Sequence, residues 1–112
     1  MPRDYKAFIT DILEAINRIE LYTANLTIDD FTESHLYQDA VVRNLEIIGE
    51  AVKRLPTDLM KKYPNIEWKK IAGLRDILIH AYFGIDIEIV WDIIQNKLPD
   101  LKDHISLILS KK

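Results

Sequence analysis

Four side chains that can bind anions or move protons fall within one otherwise apolar run: Arg75, Asp76, His80 and Tyr82. The run is Gly73-Leu74-Arg75-Asp76-Ile77-Leu78-Ile79-His80-Ala81-Tyr82-Phe83-Gly84. Apolar runs of this kind bury themselves, and a charge carried along must be paired or used. The pattern R-D-x-x-x-H-x-Y suits cleavage of the phosphodiester bond of RNA. Histidine titrates near neutrality and can move the proton of a 2′-hydroxyl or of the leaving oxygen. Arginine offers a fork of donors to phosphate oxygens as charge builds in the transition state. Asp76 can orient or polarise His80, and Tyr82 can donate to phosphate or stack on a base. RNA carries its own nucleophile, so this chemistry requires no metal and no nucleophile from the protein. The chain has no H-E-x-x-H, Walker A loop, G-x-G-x-x-G or G-x-S-x-G element.

Helical geometry restricts how these residues can meet. At about 100° per residue, Asp76 and His80 are i,i+4 neighbours on one face. Arg75 and Tyr82 nearly eclipse two turns apart, whereas Arg75 and His80 diverge by about 140°. Arg75 and His80 reach one substrate if the helix bends, if the arginine reaches around, or if two subunits share the site. A two-fold dimer with this helix at its interface places two copies face to face.

The chain that must position them has 112 residues, enough for one domain, 1–112, with a core that needs no staples. Its 48% hydrophobic residues are at the upper end for a water-soluble protein, which suggests a face buried against a second copy. No stretch approaches the ~18 apolar residues of a membrane span, and nothing at Met1 marks export. With no cysteine there is no disulfide, thiolate nucleophile or cysteine zinc site, and a cytoplasmic protein fits best.

The net charge of −3 argues against a general nucleic-acid coat, but the charge is unevenly spread. Residues 1–52 carry 4 basic and 10 acidic groups, a balance of −6. Residues 53–75 carry Lys53, Arg54, Lys61, Lys62, Lys69, Lys70 and Arg75 against Asp58 and Glu67, a balance of +5. Residues 76–112 return to −2. A basic segment running up to the motif is what a phosphate-binding surface needs. A solvated lysine-rich face is the plainer reading of the same residues.

Along the chain the apolar pattern is helical throughout. Tyr5, Ile9, Ile12, Ile16, Ile19, Thr23 and Leu26 step by fours and threes after a candidate N-cap, Asp4. Phe8 and Leu13 widen that stripe beyond a coiled-coil seam, which favours a bundle. Thr27-Ile28-Asp29-Asp30 has the form of a capping box, and Ser34 can cap a second long helix over roughly 35–55. That helix carries Tyr37, Val41, Leu45, Ile48, Val52 and Leu55, and Gly49 within it points to a close helix–helix approach. Pro56 ends it, Thr57 can cap a short helix through Tyr63, and Pro64 breaks the chain again. A helix resuming near Ile66 or Glu67 carries Trp68, Ile71 and Leu74 into the motif. Gly84 stops it and Asp86 can cap the last segment, whose stripe stays in phase across Pro99. The expected fold is an all-α up-and-down bundle of four or five helices.

Other candidates have plainer readings. Glu46 and Glu50 are i,i+4 on the second long helix, but without a matching Glu-x-x-His pair they suit ion pairs better than a metal. His35 and His104 lack partners in sequence that suggest ligation, and Trp68 and Trp91 suit a core.

The region Trp68-Lys69-Lys70-Ile71-Ala72-Gly73, continuing through Arg75-Asp76-x-x-x-His80-x-Tyr82-Phe83-Gly84, resembles the signature of HepT-type HEPN-domain ribonuclease toxins. Arg43-Asn44-Leu45-Glu46-Ile47-Ile48-Gly49-Glu50-Ala51, Ile89-Val90-Trp91-Asp92 and Leu98-Pro99 match as well, in the same order. The resemblance implies a helical homodimer with ribonuclease activity and no catalytic metal or other cofactor. It implies a composite site at the dimer interface, with Arg75 on the scissile phosphate and His80 in acid–base catalysis. It implies transfer RNA or messenger RNA as substrate. It also implies a partner, an MNT-type nucleotidyltransferase antitoxin that silences the toxin by attaching AMP to Tyr82. An added phosphate there would occupy the substrate's place and repel RNA. Asp76 stands where the family more usually has Asn, and its charge beside a phosphate site would raise histidine basicity and weaken RNA binding. Two alternatives stay open: a catalytically silent HEPN module that binds nucleotide or docks a nucleotidyltransferase, and a purely structural helical dimer.

Overall fold

The computed structural model describes residues 4–74, 78 and 86–110, and among these every regular element is helical. In chain order they are α1 (Tyr5–Thr23), α2 (Ile28–Glu33), α3 (His35–Lys53), α4 (Thr57–Lys62) and α5 (Trp68–Ala72). Then come α6 (Ile87–Asp92), a π-helical turn (Ile93–Lys97) and α7 (Leu98–Ser110), which run on without a break. The all-α expectation holds.

Local chemistry sets the helix starts. The Asp4 carboxylate accepts the Lys6 N–H at 3.1 Å, and the Asp86 side chain accepts from Glu88 at the same distance. Thr27 and Asp30 form a full capping box: Thr27 Oγ1 accepts the Asp30 N–H at 3.1 Å, and the Asp30 carboxylate accepts the Thr27 N–H at 3.0 Å. Ser34 Oγ accepts the Tyr37 N–H and opens α3. The one capping expectation that fails is Thr57. Its side chain makes no cap; Pro56 holds the N-cap place with φ −64° and ψ 142°, and its carbonyl accepts from Leu59 and Met60. The ring's fixed φ with an extended ψ aims that carbonyl into the first turn, so Thr57 already lies inside the helix.

α1 packs on α3 and α7, and α3 in turn on α2 and α5. From α1, Ile9, Ile12, Ala15, Ile16 and Ile19 are fully buried against Val41, Leu45, Ile48 and Val52 of α3 and Ile105 of α7. Thr23 ends that buried stripe as a polar residue, and its hydroxyl donates to the Ile19 carbonyl at 2.8 Å, which removes the cost of burying it. Gln38 of α3 donates to the Phe31 and Thr32 carbonyls, both at 2.9 Å, and so ties down the end of α2. Phe31 is fully buried, with its ring centroid 5.4 Å from that of the half-buried Trp91.

The final helix resolves what Pro99 does to a pattern that stays in phase. The helix does not stop; the turn before the proline widens, and the Leu98 N–H reaches back to the Ile93 carbonyl. A proline ring crowds the carbonyl four residues back and offers no N–H, so a wide turn just ahead of it relieves both problems. Val90, Ile94 and Leu98 are all buried, so the core-facing stripe runs on through the widened turn.

Candidate active site and its basic approach

Arg75, Asp76, His80, Tyr82 and the expected stop at Gly84 lie outside the described residues. The described frame around them consists of α5 with Gly73 and Leu74 on one side, Asp86 at the start of α6 on the other, and Leu78 between. Leu78 is 2% exposed and belongs to the core.

The entry to the motif is built on one carbonyl. After Pro64 turns the chain, the Tyr63 carbonyl accepts from Ile66 N at 3.2 Å and from the Trp68 indole at 3.1 Å. Ile66 and Trp68 are thereby buried, which anchors α5 by its first residue and leaves Lys69 and Lys70 exposed. Gly73 closes α5 with its N–H on the Lys69 carbonyl at 3.1 Å.

The basic segment is an exposed surface. Lys53 and Arg54 at the end of α3, Lys61 and Lys62 in the last turn of α4, and Lys69 and Lys70 on α5 are all exposed. The Lys70 ammonium lies 2.6 Å from the Glu67 carboxylate. That hydrogen bond, with the attraction between the two charges, lowers the Glu67 pKa and raises that of Lys70. Ile66, Glu67, Trp68, Lys69 and Lys70 line a shallow open groove with an apolar floor.

The remaining candidates separate cleanly. Glu46, half-buried, lies 3.9 Å from exposed Arg43, an i,i+3 pair, as its ion-pairing reading expected. Among the described residues no three histidine or acidic side chains are grouped so as to hold a metal ion. His35 is exposed at the start of α3, and His104 bonds through Nδ1 to the Asp100 carbonyl at 2.8 Å. Trp68 is a core residue, whereas Trp91 is only half-buried. One polar residue escaped the reading of single positions: Asn44, 6% exposed on α3. Its amide donates to the Ala40 carbonyl at 2.9 Å, and among the described residues its Oδ1 has no hydrogen-bond partner. The signal available in sequence was a lone amide between Val41 and Ile48 on the buried arc of a helix.

Residues 12–108 match the family described as ribonuclease HepT-like, a span that contains the whole motif region. The chain belongs to the HepT-like ribonuclease family. A Methanocaldococcus jannaschii protein named "Putative RNase" is 52% identical over 105 residues, covering 92% of this chain and 87% of the relative. A Thermococcus cleftensis protein named "Probable ribonuclease HepT" is 44% identical over 102 residues, 91% of this chain and 93% of its own length. A second M. jannaschii protein, named "Gamma-glutamylcyclotransferase and putative RNase", is 46% identical over 111 residues; the match covers 99% of this chain and spans half of that relative's length. No solved structure matches the chain significantly. Membership of the HepT-like family agrees with the resemblance carried by the motif, and the all-α bundle agrees with both. Among the described residues no helix is long and apolar enough to cross a membrane.

Proposed function

We propose that this HepT-like chain is a metal-independent endoribonuclease and the toxin of a toxin–antitoxin pair, cutting transfer RNA or messenger RNA in the cytoplasm. The observation that carries the reading is the family match across residues 12–108 together with Arg75 and His80 at the spacing R-D-x-x-x-H. Arg75 holds the scissile phosphate and stabilises the charge that grows on its oxygens. His80 moves protons: it takes one from the 2′-hydroxyl as that oxygen attacks phosphorus, or gives one to the departing 5′-oxygen. Two such transfers are needed per cleavage, and a homodimer that shares the site supplies a second His80. The products are a cyclic phosphate and a 5′-hydroxyl end. Asp76 supports His80 by favouring its charged form. An MNT-type nucleotidyltransferase antitoxin silences the site by attaching AMP to Tyr82, which adds a phosphate where the substrate's phosphate must bind.

The test is RNA cleavage by the purified protein in EDTA, beside His80→Ala and Arg75→Ala. The expected result is cleavage that survives the chelator and falls about 10²–10⁴-fold without the histidine. Cleavage undiminished in both variants would sink the assignment. One feature favours a second reading, a catalytically silent module that docks the nucleotidyltransferase: Asp76 adds negative charge beside the proposed phosphate site. Under that reading the protein, shown by mass to carry no AMP on Tyr82, cuts nothing and still binds its partner.

A further inference from the structure

An enzyme that cuts RNA must draw a polyanion to itself, yet this chain carries a net charge of −3. Residues 1–52, which form α1, α2 and nearly all of α3, balance at −6 and repel phosphate. The attraction is concentrated between residues 53 and 70, where six exposed basic side chains face two acidic ones, a balance of +4. Basic residues in a last turn complement a helix dipole. Here two very short helices concentrate them: α4 has six residues and ends on two lysines, and α5 has five and carries two more.

We infer that the end of α3, α4 and α5 together form an RNA-tracking surface that holds the phosphates of a single-stranded segment flanking the cleaved bond. The inference rests on the ribonuclease reading above. Lys53, Arg54, Lys61, Lys62 and Lys69 supply the phosphate contacts. The shallow, mostly apolar groove that Lys69, Lys70 and Glu67 line together with the edges of buried Ile66 and Trp68 can take an unpaired base, which a duplex does not expose. Covalent geometry keeps this surface near the chemistry: Lys70 is five residues before Arg75, so their Cα atoms are at most about 18 Å apart. Glu67 tempers the surface by holding the Lys70 ammonium at 2.6 Å, so one of the six cations is withheld from RNA.

The test is fluorescence anisotropy of a labelled, unstructured single-stranded RNA over a salt series. The binding protein is the His80→Ala full chain, which leaves the RNA intact. Lys61→Ala, Lys62→Ala and Lys69→Ala combined should weaken binding about tenfold. They should also flatten the slope of log affinity against log salt by about 2, at ~0.7 per lost phosphate contact. Glu67→Gln should act in the opposite direction: about threefold tighter binding and a slope steeper by about 0.7, from a freed Lys70. All four positions are exposed, so the folded chain tolerates these changes. Affinity and slope unchanged in the triple variant would overturn the inference, as would a polyglutamate peptide of equal charge binding as tightly as RNA. The EDTA cleavage assay separates the two claims. RNA binding that depends on these lysines without cleavage by the wild type sinks the ribonuclease reading alone. Cleavage with lysine-independent binding sinks the tracking surface alone.

Discussion

α1 and α3 each run for 19 residues and bury six and eight of them, whereas α4 and α5 bury one each, Leu59 and Trp68. The long helices pack on each other, α1 also on α7 and α3 also on α2 and α5; between the short ones, the Tyr63 carbonyl holds the Trp68 indole. The charge divides the same way, acidic on the long pair and basic on the short pair. A thin segment with little buried area can spend its surface on lysines. Burial there decides only where the segment sits.

The largest loss is expected in the core. Ile16→Ala, at a fully buried position, should cost about 2–5 kcal/mol in urea unfolding. Leu59→Ala, at 7% exposure beneath a six-residue helix that can settle into the gap, should fall at the bottom of that range, about 2 kcal/mol. Equal losses would mean that α4 is as deeply integrated as α1. Thr27→Ala removes one arm of the capping box and should cost about 1 kcal/mol by the same measurement. Lys61→Ala with Lys62→Ala should leave stability within about 0.5 kcal/mol while changing RNA affinity, since neither side chain packs. The smallest effect is the titration of Glu67 monitored by NMR. Its carboxyl should lose its proton at lower pH than an ordinary glutamate, and Lys70→Ala should move the midpoint back up. The attraction is present above the ordinary carboxylate range and fades as pH falls through the lowered Glu67 value. At the other end it fades as pH rises through the raised value of Lys70. Both groups are exposed, so salt should shrink the shift.

Much of this fold was legible because the signals are local. The steps from Tyr5 to Thr23 declare a helix face. Asp4, Thr27 with Asp30, Ser34 and Asp86 each cap a helix because a side-chain oxygen two or three bonds from Cα reaches the free N–H groups of the first turn. Thr57 misled for the same reason: it has a capper's chemistry, but Pro56 before it had already fixed the turn. The widened turn at Ile93–Lys97 was invisible, since a hydrophobic stripe records which residues face inward and not how many residues each turn takes. The basic segment was plain from composition, while its apolar-floored groove depends on Tyr63 gathering Ile66 and Trp68, a contact no periodicity encodes. The catalytic reading of Arg75 and His80 rested on chemistry and likeness, because their spacing alone leaves them on different faces of a helix.

The widened turn also gives the last helix a property that the other described helices lack: a spare residue. The run 87–110 uses one more residue than a regular helix needs for the same path. Taking out exposed Gln95 or Asn96 closes that turn and leaves both flanks facing as they do now, once Pro99 is replaced by a residue that can donate. A one-residue loss early in α1 has no such slack. It swings the remainder of the helix by about 100° and carries Glu20 into the place of Ile19. Changes in length are thus tolerable at one end of this chain and ruinous at the other.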